Sequence, residues 1–222
     1  MKVSVIICTY SLNRYQAVVE AIESVQQQTH KEIEIVVVVD GNRELYEAIE
    51  ADFIDFDEVT IYLNEENFGN LQSVNVGIEL ATGEIIANMD DDATAAPDWI
   101  EQLVAAYREH DAFAAGGPIE PDWVDGMARF IPEEFFWLVG VTHKGVPDEP
   151  GEVRNTFGSN LSFRSDILEE LGGYPTDDTV ETPVSRPARL NCALDYIESM
   201  VAAYTTYQRR SCITKSSPTA PT

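Results

Sequence analysis

Two β-branched runs, Val3-Ser4-Val5-Ile6-Ile7-Cys8 and Ile33-Glu34-Ile35-Val36-Val37-Val38-Val39, set the narrowest limit on what this chain can fold into. Both are nearly all apolar rather than alternating, the pattern of strands buried on both faces. Between them Val18, Val19, Ile22 and Val25 recur at helical spacing, with Gln26-Gln27-Gln28 closing the segment. Strand, helix, strand with this burial is the signature of a parallel sheet covered by helices. The pattern continues. Leu45 to Phe53 reads as a helix, Val59 to Leu63 as a strand, and Leu71 to Ala81 as a helix with Val74, Ile78 and Ala81 on one face and Thr82-Gly83 as its cap. Pro97-Asp98-Trp99 opens a further helix that turns Leu103, Val104 and Tyr107 inward. The expected class is α/β, a mixed, mainly parallel sheet flanked by helices.

The most informative strand is Glu84-Ile85-Ile86-Ala87-Asn88-Met89, because it runs directly into Asp90-Asp91-Asp92. Adjacent carboxylates repel one another, and just past a buried strand they are costly unless something positive binds there. Hard divalent cations take carboxylate oxygens, and ligands of open α/β sheets gather outside the carboxyl ends of the strands. An acidic loop in an acidic protein is the plainer alternative. The other strand ends are polar as well: Thr9-Tyr10-Ser11-Leu12-Asn13-Arg14, Asp40-Gly41-Asn42, and Asn64-Glu65-Glu66-Asn67-Phe68-Gly69-Asn70. If the strands are parallel, these loops converge on one edge, a geometry suited to a nucleotide diphosphate bridged by a metal. No G-x-G-x-x-G or G-x-x-x-x-G-K-[ST] occurs, so neither a dinucleotide fingerprint nor a P-loop is present.

Composition narrows the partners. The 222 residues carry 39 acids against 14 bases, a formal net charge of -25. Such a surface repels nucleic-acid phosphates, which argues against a nucleic-acid role. It also pushes the compact state apart unless concentrated salt shortens the screening length, which points to a cytoplasm of high ionic strength. No apolar run is long enough for a membrane span, the amino terminus shows no signal-peptide pattern, and Cys8, Cys192 and Cys212 form neither a disulfide framework nor a zinc pattern. The expected location is cytoplasmic, with peripheral contact at the inner face of the membrane as a further option.

Five segments, in order, resemble family 2 glycosyltransferases, inverting enzymes that use nucleotide-diphosphate sugars on the GT-A fold. They are Val5-Ile6-Ile7-Cys8-Thr9-Tyr10, Val36-Val37-Val38-Val39-Asp40-Gly41, Asn67-Phe68-Gly69 with Asn75-Val76-Gly77, Ala81-Thr82-Gly83-Glu84, and Met89-Asp90-Asp91-Asp92. The resemblance implies that Thr9, Tyr10, Asp40, Asn67 and Asp90 bind the nucleotide sugar, Asp40 accepting from the base of a UDP-linked donor. It implies that Asp92 and Asp90 form the D-x-D pair that meets Mn2+ or Mg2+. Residues 113–176 include Gly116-Gly117-Pro118-Ile119-Glu120, Phe157-Gly158-Ser159-Asn160-Leu161 and Leu171-Gly172-Gly173-Tyr174. These are similar to haloarchaeal members that add sugars to dolichyl phosphate carriers in N-glycan assembly, glucuronosyl transfer to glucosyl-dolichyl phosphate among their activities. On this reading residues 1–112 form the nucleotide-sugar half and 113–176 the acceptor-side half of one domain, Gly158 and Asn160 shaping an acceptor loop.

Several readings stay open. Phe135-Phe136-Trp137 is either core or an oligomer contact, or it meets the membrane surface. Arg154 and Arg164 are scarce cations that either hold a phosphate or form surface ion pairs. His30, His110 and His143 read as structural. An inverting transferase needs a general base, for which Asp177, Asp178 and Glu181 are candidates by position alone. The resemblance ends near Pro175, and residues 177–222 carry only five acids and five bases amid Thr, Ser and Pro. That tail is either read in a shifted frame or a divergent end with a helix from Leu190 to Tyr204. The alternative to a transferase is accordingly a non-catalytic nucleotide-sugar binder or an inactive truncated product. A nucleotidyltransferase fits less well, because no basic, Gly-rich loop lies near the amino terminus to hold a triphosphate.

Overall fold

The computed structural model describes residues 1–110, 112–123, 131–146, 150–153 and 156–176. Arg154, the candidate bases Asp177, Asp178 and Glu181, the whole 177–222 tail and its expected helix lie outside the described residues.

Six strands form one sheet. In chain order the elements are β1 (Val3–Thr9), α1 (Tyr15–Gln26), β2 (Ile33–Asp40), α2 (Arg43–Phe53), β3 (Val59–Asn64), α3 (Asn70–Leu80), β4 (Ile85–Asp90), α4 (Trp99–Glu109), β5 (Ala114–Gly116), β6 (Asn160–Arg164) and α5 (Ser165–Leu171). Their order across the sheet is β3-β2-β1-β4-β6-β5. The first four pair in parallel, while β6 is antiparallel to both β4 and β5. This is the mixed, mainly parallel sheet expected.

The pleat sends alternate side chains to two helix layers. Val5, Ile7, Val37, Val39, Ala87 and Met89 pack with Val18, Ile22, Leu45, Ile49, Ile100 and Val104 from α1, α2 and α4. Ile6, Val36, Val38, Ile86, Leu161 and Phe163 form the other core, closed by Val74 of α3, Leu168 of α5 and Tyr174. Gly77 is where α3 meets β1: a Cβ there would stand 2.6 Å from Ile6 Cγ2. The Asn75 side chain grips the end of the described chain from both sides. It donates to Tyr174 O at 2.9 Å and accepts from Tyr174 N at 2.7 Å, while the Tyr174 hydroxyl accepts from Asn88 Nδ2 at 2.7 Å. Gly173 is needed at this joint, with φ +83° and a Cβ that would fall 2.7 Å from Asn75 Oδ1.

Two expectations need correction. Helix α3 starts and stops one residue earlier than its apolar face indicates, and Thr82-Gly83 does not cap it. Ala81 leaves the helix in an extended conformation, and Gly83 serves a close approach instead, its N–H donating to Ser4 Oγ at 2.8 Å where a Cβ would collide. Likewise α2 begins at Arg43, because the Asn42 side chain accepts from Leu45 N at 3.0 Å and caps it two residues before the apolar spacing begins.

At the amino-terminal rim of the sheet, Glu34 gathers the strands. It accepts from Lys2 Nζ, from Ser4 Oγ, from Thr82 N and, at 2.6 Å, from Thr82 Oγ1. Burial pushes this carboxyl upward, but the hydrogen bonds outweigh it and hold the pKa at about 2. A depressed carboxylate stabilises the fold fully above its unfolded value, near 4.5, and loses that contribution as pH falls toward 2. Glu34→Gln is therefore expected to lower stability at pH 7 by about 2 kcal/mol. Chemical denaturation from pH 7 to pH 2 should show the wild type converging on the variant below pH 4.5.

Candidate active site

Parallel pairing of β2, β1 and β4 brings their carboxyl ends to one rim. Thr9 lies opposite Val39, one residue before Asp40, and Cys8 lies opposite Asp90. Asp40, Cys8 and Asp90 thus share an edge, and the charges of Asp40, Asp91 and Asp90 all act on the Cys8 thiol. Burial first, then those carboxylates, drive its pKa far above the ordinary thiol range, which disfavours the nucleophilic thiolate.

Asp40 is buried and built into the wall. Its Oδ1 accepts from Asn64 Nδ2 at 2.9 Å and Phe68 N at 3.0 Å, and its Oδ2 accepts from Gly69 N at 2.8 Å. A carboxylate offers about four lone-pair positions, so one, on Oδ2, remains for a ligand. The same bonds fold the 64–69 loop over the rim. Gly41 makes room for that loop, with φ +67° and a Cβ that would lie 2.6 Å from Asn67 N. Asn67 itself is exposed on the loop.

The three consecutive aspartates divide their work. Asp91 is the buried one, 3% exposed, and its Oδ1 accepts from Arg14 Nη1. Its Oδ2 and the hydroxyl of the equally buried Thr9 find no well-aligned partner, although Thr9 stands close enough to favour the Asp91 carboxylate. Thr9 therefore backs the site from beneath. Asp90 and Asp92 remain open to solvent. Asp92 Oδ2 lies 3.4 Å from Arg14 Nη1. Asp90 reaches solvent at the strand mouth but is hemmed in below. Loss of water there, then the charges of Asp92 and Asp91, push its pKa up to about 6, with Arg14 pulling the other way. The loop that follows is pinned from α1: Ser24 Oγ accepts from Ala95 N at 3.0 Å, Gln28 Nε2 donates to Ala96 O at 2.7 Å, and Gln28 Oε1 accepts from Ile100 N at 3.0 Å.

Among the described residues no three His, Cys, Asp or Glu side chains converge as a metal cage. Two open carboxylates beside an anchored third suit a hard cation that completes its shell with substrate phosphates and water. Tyr10, 54% exposed, offers an open ring at the same rim, and its carbonyl accepts from Asn42 Nδ2 at 3.1 Å.

Arg14 and Asn42 are the site residues that sequence reasoning passed over. Arg14 reads there as one polar residue among several in the loop. Its signal is that it is one of few cations in an acidic chain and stands just after a strand end. On the acceptor side Asn160 is a structural tie, accepting from Trp99 Nε1 at 2.9 Å and donating to Pro118 O at 3.1 Å. Arg164 pairs with Asp166 at 3.3 Å and sits opposite Ile85, at the far rim. His30 Nε2 lies 2.9 Å from Met1 O, and His143 Nδ1 3.1 Å from Lys144 O, consistent with structural roles. Phe136 is buried edge-on against Trp123, centroids 5.8 Å apart, while Phe135, Trp137, Leu138 and Val139 are exposed. A cleft of about 400 Å³ at the amino-terminal rim is lined by residues of mixed charge, His30, Lys31, Glu101, Arg108 and Glu109 among them.

Asp90 carries an electrostatic cost in the metal-free protein. Its raised pKa destabilises the fold above pH 6, and the penalty fades as pH falls from 6 toward 3.8. Asp90→Asn is expected to stabilise the metal-free protein by about 1 kcal/mol at pH 7, after allowing for solvent screening, with no gain by pH 4. Thermal melts in chelator at both pH values check this.

Comparison with known proteins bears on the family and the fold. The model of the family described as "Glycosyl transferase family 2" matches residues 4–172. A glucosyl-dolichyl phosphate glucuronosyltransferase of Haloferax volcanii is 51% identical over 178 residues, 80% of this chain and 57% of the relative. A mannosyltransferase, PcManGT of Pyrobaculum calidifontis, solved with GDP-Man and Mn2+, superposes with a TM-score of 0.61 at 23% identity over 79% of this chain and 48% of that one. S. aureus TarS with UDP-GlcNAc gives 0.58 at 22% identity over 79% and 49%. The chain thus spans little more than half the length of the curated relative and about half that of the solved structures.

Proposed function

The chain belongs to glycosyl transferase family 2, and from that premise we propose that it moves a sugar from a nucleotide-diphosphate donor, UDP-linked, to a lipid-linked acceptor with inversion at the anomeric carbon. The observation that carries this reading is the gathering of Tyr10, Asp40, Asp90 and Asp92 at one sheet rim, on strands that only parallel pairing brings together.

Each residue has a physical task. Tyr10 offers its ring to the base, and Asp40 offers the one free Oδ2 position to a base N–H. Asn67, on the loop held by Asp40, closes over the same pocket. Asp90 faces the ribose and Asp92 the cation, Mn2+ or Mg2+. When bound, that cation neutralises the diphosphate and makes it a better leaving group. Asp91 does not face the ligand; its bond to Arg14 fixes the loop from which Asp90 and Asp92 project. In the transfer the acceptor hydroxyl gives its proton to a base, its oxygen bonds to the anomeric carbon, and the bond to the diphosphate breaks. Asp177, Asp178 and Glu181 remain the positional candidates for that base.

The acceptor assignment is supported by the 51% identical relative, named for action on glucosyl-dolichyl phosphate, and by the exposed Phe135, Trp137, Leu138 and Val139, which suit peripheral contact with a bilayer at its cytoplasmic face. No helix among the described residues is long and apolar enough to cross a membrane. A nucleotide-sugar binder without transfer is the second reading, and it keeps every residue of the donor rim.

In molar KCl with Mn2+, a UDP-sugar and a short-chain dolichyl phosphate glucose acceptor, UDP release should accompany labelled lipid. Asp92→Asn should cut turnover by roughly a hundredfold or more. UDP binding without lipid labelling would favour the binder, and failure to bind UDP with Mn2+ would remove both readings.

A further inference from the structure

The 3-10 turn Leu12–Arg14 leaves β1 and carries Arg14 to a position between the two halves of the donor rim. Three contacts define it. Its Nη1 donates to buried Asp91, the same nitrogen lies 3.4 Å from exposed Asp92 Oδ2, and its Cζ lies 5.8 Å from the centroid of the Tyr10 ring. One guanidinium thus touches the aromatic platform assigned to the base and the carboxylate assigned to the cation. Its charge lies within cation–π range of the ring while one nitrogen donates to a carboxylate, and a guanidinium combines the two roles better than a lysine ammonium does.

The two carboxylate contacts are unequal. Asp91 holds Arg14 by a direct hydrogen bond in a buried setting, whereas the direct contact to Asp92 is longer, at 3.4 Å, and made to an exposed carboxylate, so it is weaker. A cation arriving at Asp92 competes for the same oxygen and repels the guanidinium. Arg14 keeps its bond to Asp91 and has its remaining freedom directed toward the Tyr10 ring, which orders the face that packs against the base. Because linkage is reciprocal, a base seated on Tyr10 strengthens the cation in turn.

We propose that Arg14 is a coupling residue that transmits divalent-cation binding at Asp92 to nucleobase binding at Tyr10 through the protein, in addition to any coupling through the diphosphate. This rests on the donor-site reading given above. Uridine isolates the effect, because it has no phosphate to bridge base and metal.

The test is titration of wild type, Arg14→Lys and Arg14→Met with uridine and with UDP, with and without Mn2+ in molar KCl. Isothermal calorimetry reads the affinities, and Mn2+ electron paramagnetic resonance reads the reverse linkage. In the wild type Mn2+ should tighten uridine about fivefold, the lower end of measured site-to-site couplings, and uridine should tighten Mn2+ by the same factor. Arg14→Lys keeps the charge beside Asp91 and, with its fold checked by circular dichroism, should reduce both factors to about one while Mn2+ still tightens UDP. Arg14→Met also removes the cation on which buried Asp91 relies, so it should lose the uridine–Mn2+ coupling and weaken Mn2+ binding as well. Mn2+-independent uridine binding in the wild type, with Mn2+-dependent UDP binding intact, would overturn the coupling alone, as would full coupling in folded Arg14→Lys. Absence of Mn2+-dependent UDP binding in the wild type would overturn the donor-site reading itself.

Discussion

Repulsion among three consecutive carboxylates is the constraint around which this molecule is arranged. A parallel sheet offers one edge where polar strand ends collect, and here that edge belongs to a chain with a net charge of -25. Crowding more negative charge there is unfavourable, and the fold relieves only part of it. Asp91 receives the nearest cation, Arg14, and Asp40 receives three hydrogen bonds from the 64–69 loop. Asp90 and Asp92 are left facing water. What remains uncompensated is a site short of positive charge, shaped by a rim that already holds its own loops in place.

The same economy explains the polar residues buried elsewhere. Gln28 is fully buried, yet its amide ties the end of α1 to the loop that carries the aspartates into α4. Ser73 is buried beneath the rim, and Asn64 bridges it to Asp40. None of these groups touches the open face. Each removes slack from a backbone whose exposed side chains must hold fixed positions, and a satisfied polar network does this at little net cost.

The sheet was legible in the amino-acid order because β1 and β2 are nearly uninterrupted β-branched runs and β4 is mostly apolar up to its final Asp90, and helical spacing between them leaves one reasonable connectivity. Val59–Asn64 was readable for the same reason, short by only its terminal Asn64. The shared rim followed, since parallel strands oblige Asp40 and Asp90 to emerge on one side. The resemblance paired Asp90 with Asp92, but the sequence could not convey that Asp91 between them turns inward onto Arg14. Three identical side chains in a row differ only in which way the backbone turns after β4, and the ties that hold that turn come from Arg14, Ser24 and Gln28, which are distant in sequence. Arg14 escaped notice for a related reason: the carboxylates it pairs with lie 77 and 78 residues away, and a scarce cation just after a strand end is a faint signal. The acceptor side was harder still. β5 has three residues and β6 five, too few for periodicity to speak, and their antiparallel run reverses the rule that held for the first four strands.

The placement of β6 beside β4 has a consequence for synthesis. Strand β4 is complete at Asp90, but its outer neighbour begins at Asn160 and the clasp of Asn75 on Tyr174 comes later still. At ordinary translation speeds of about 5–20 residues per second, the ribosome needs roughly 4–14 s to supply that cover. Throughout that interval the nascent sheet presents an unpaired hydrogen-bonding border next to an aspartate-rich tip. Unpaired borders recruit other chains, and the density of negative charge beside this one is a built-in deterrent to such encounters while the polypeptide is still emerging.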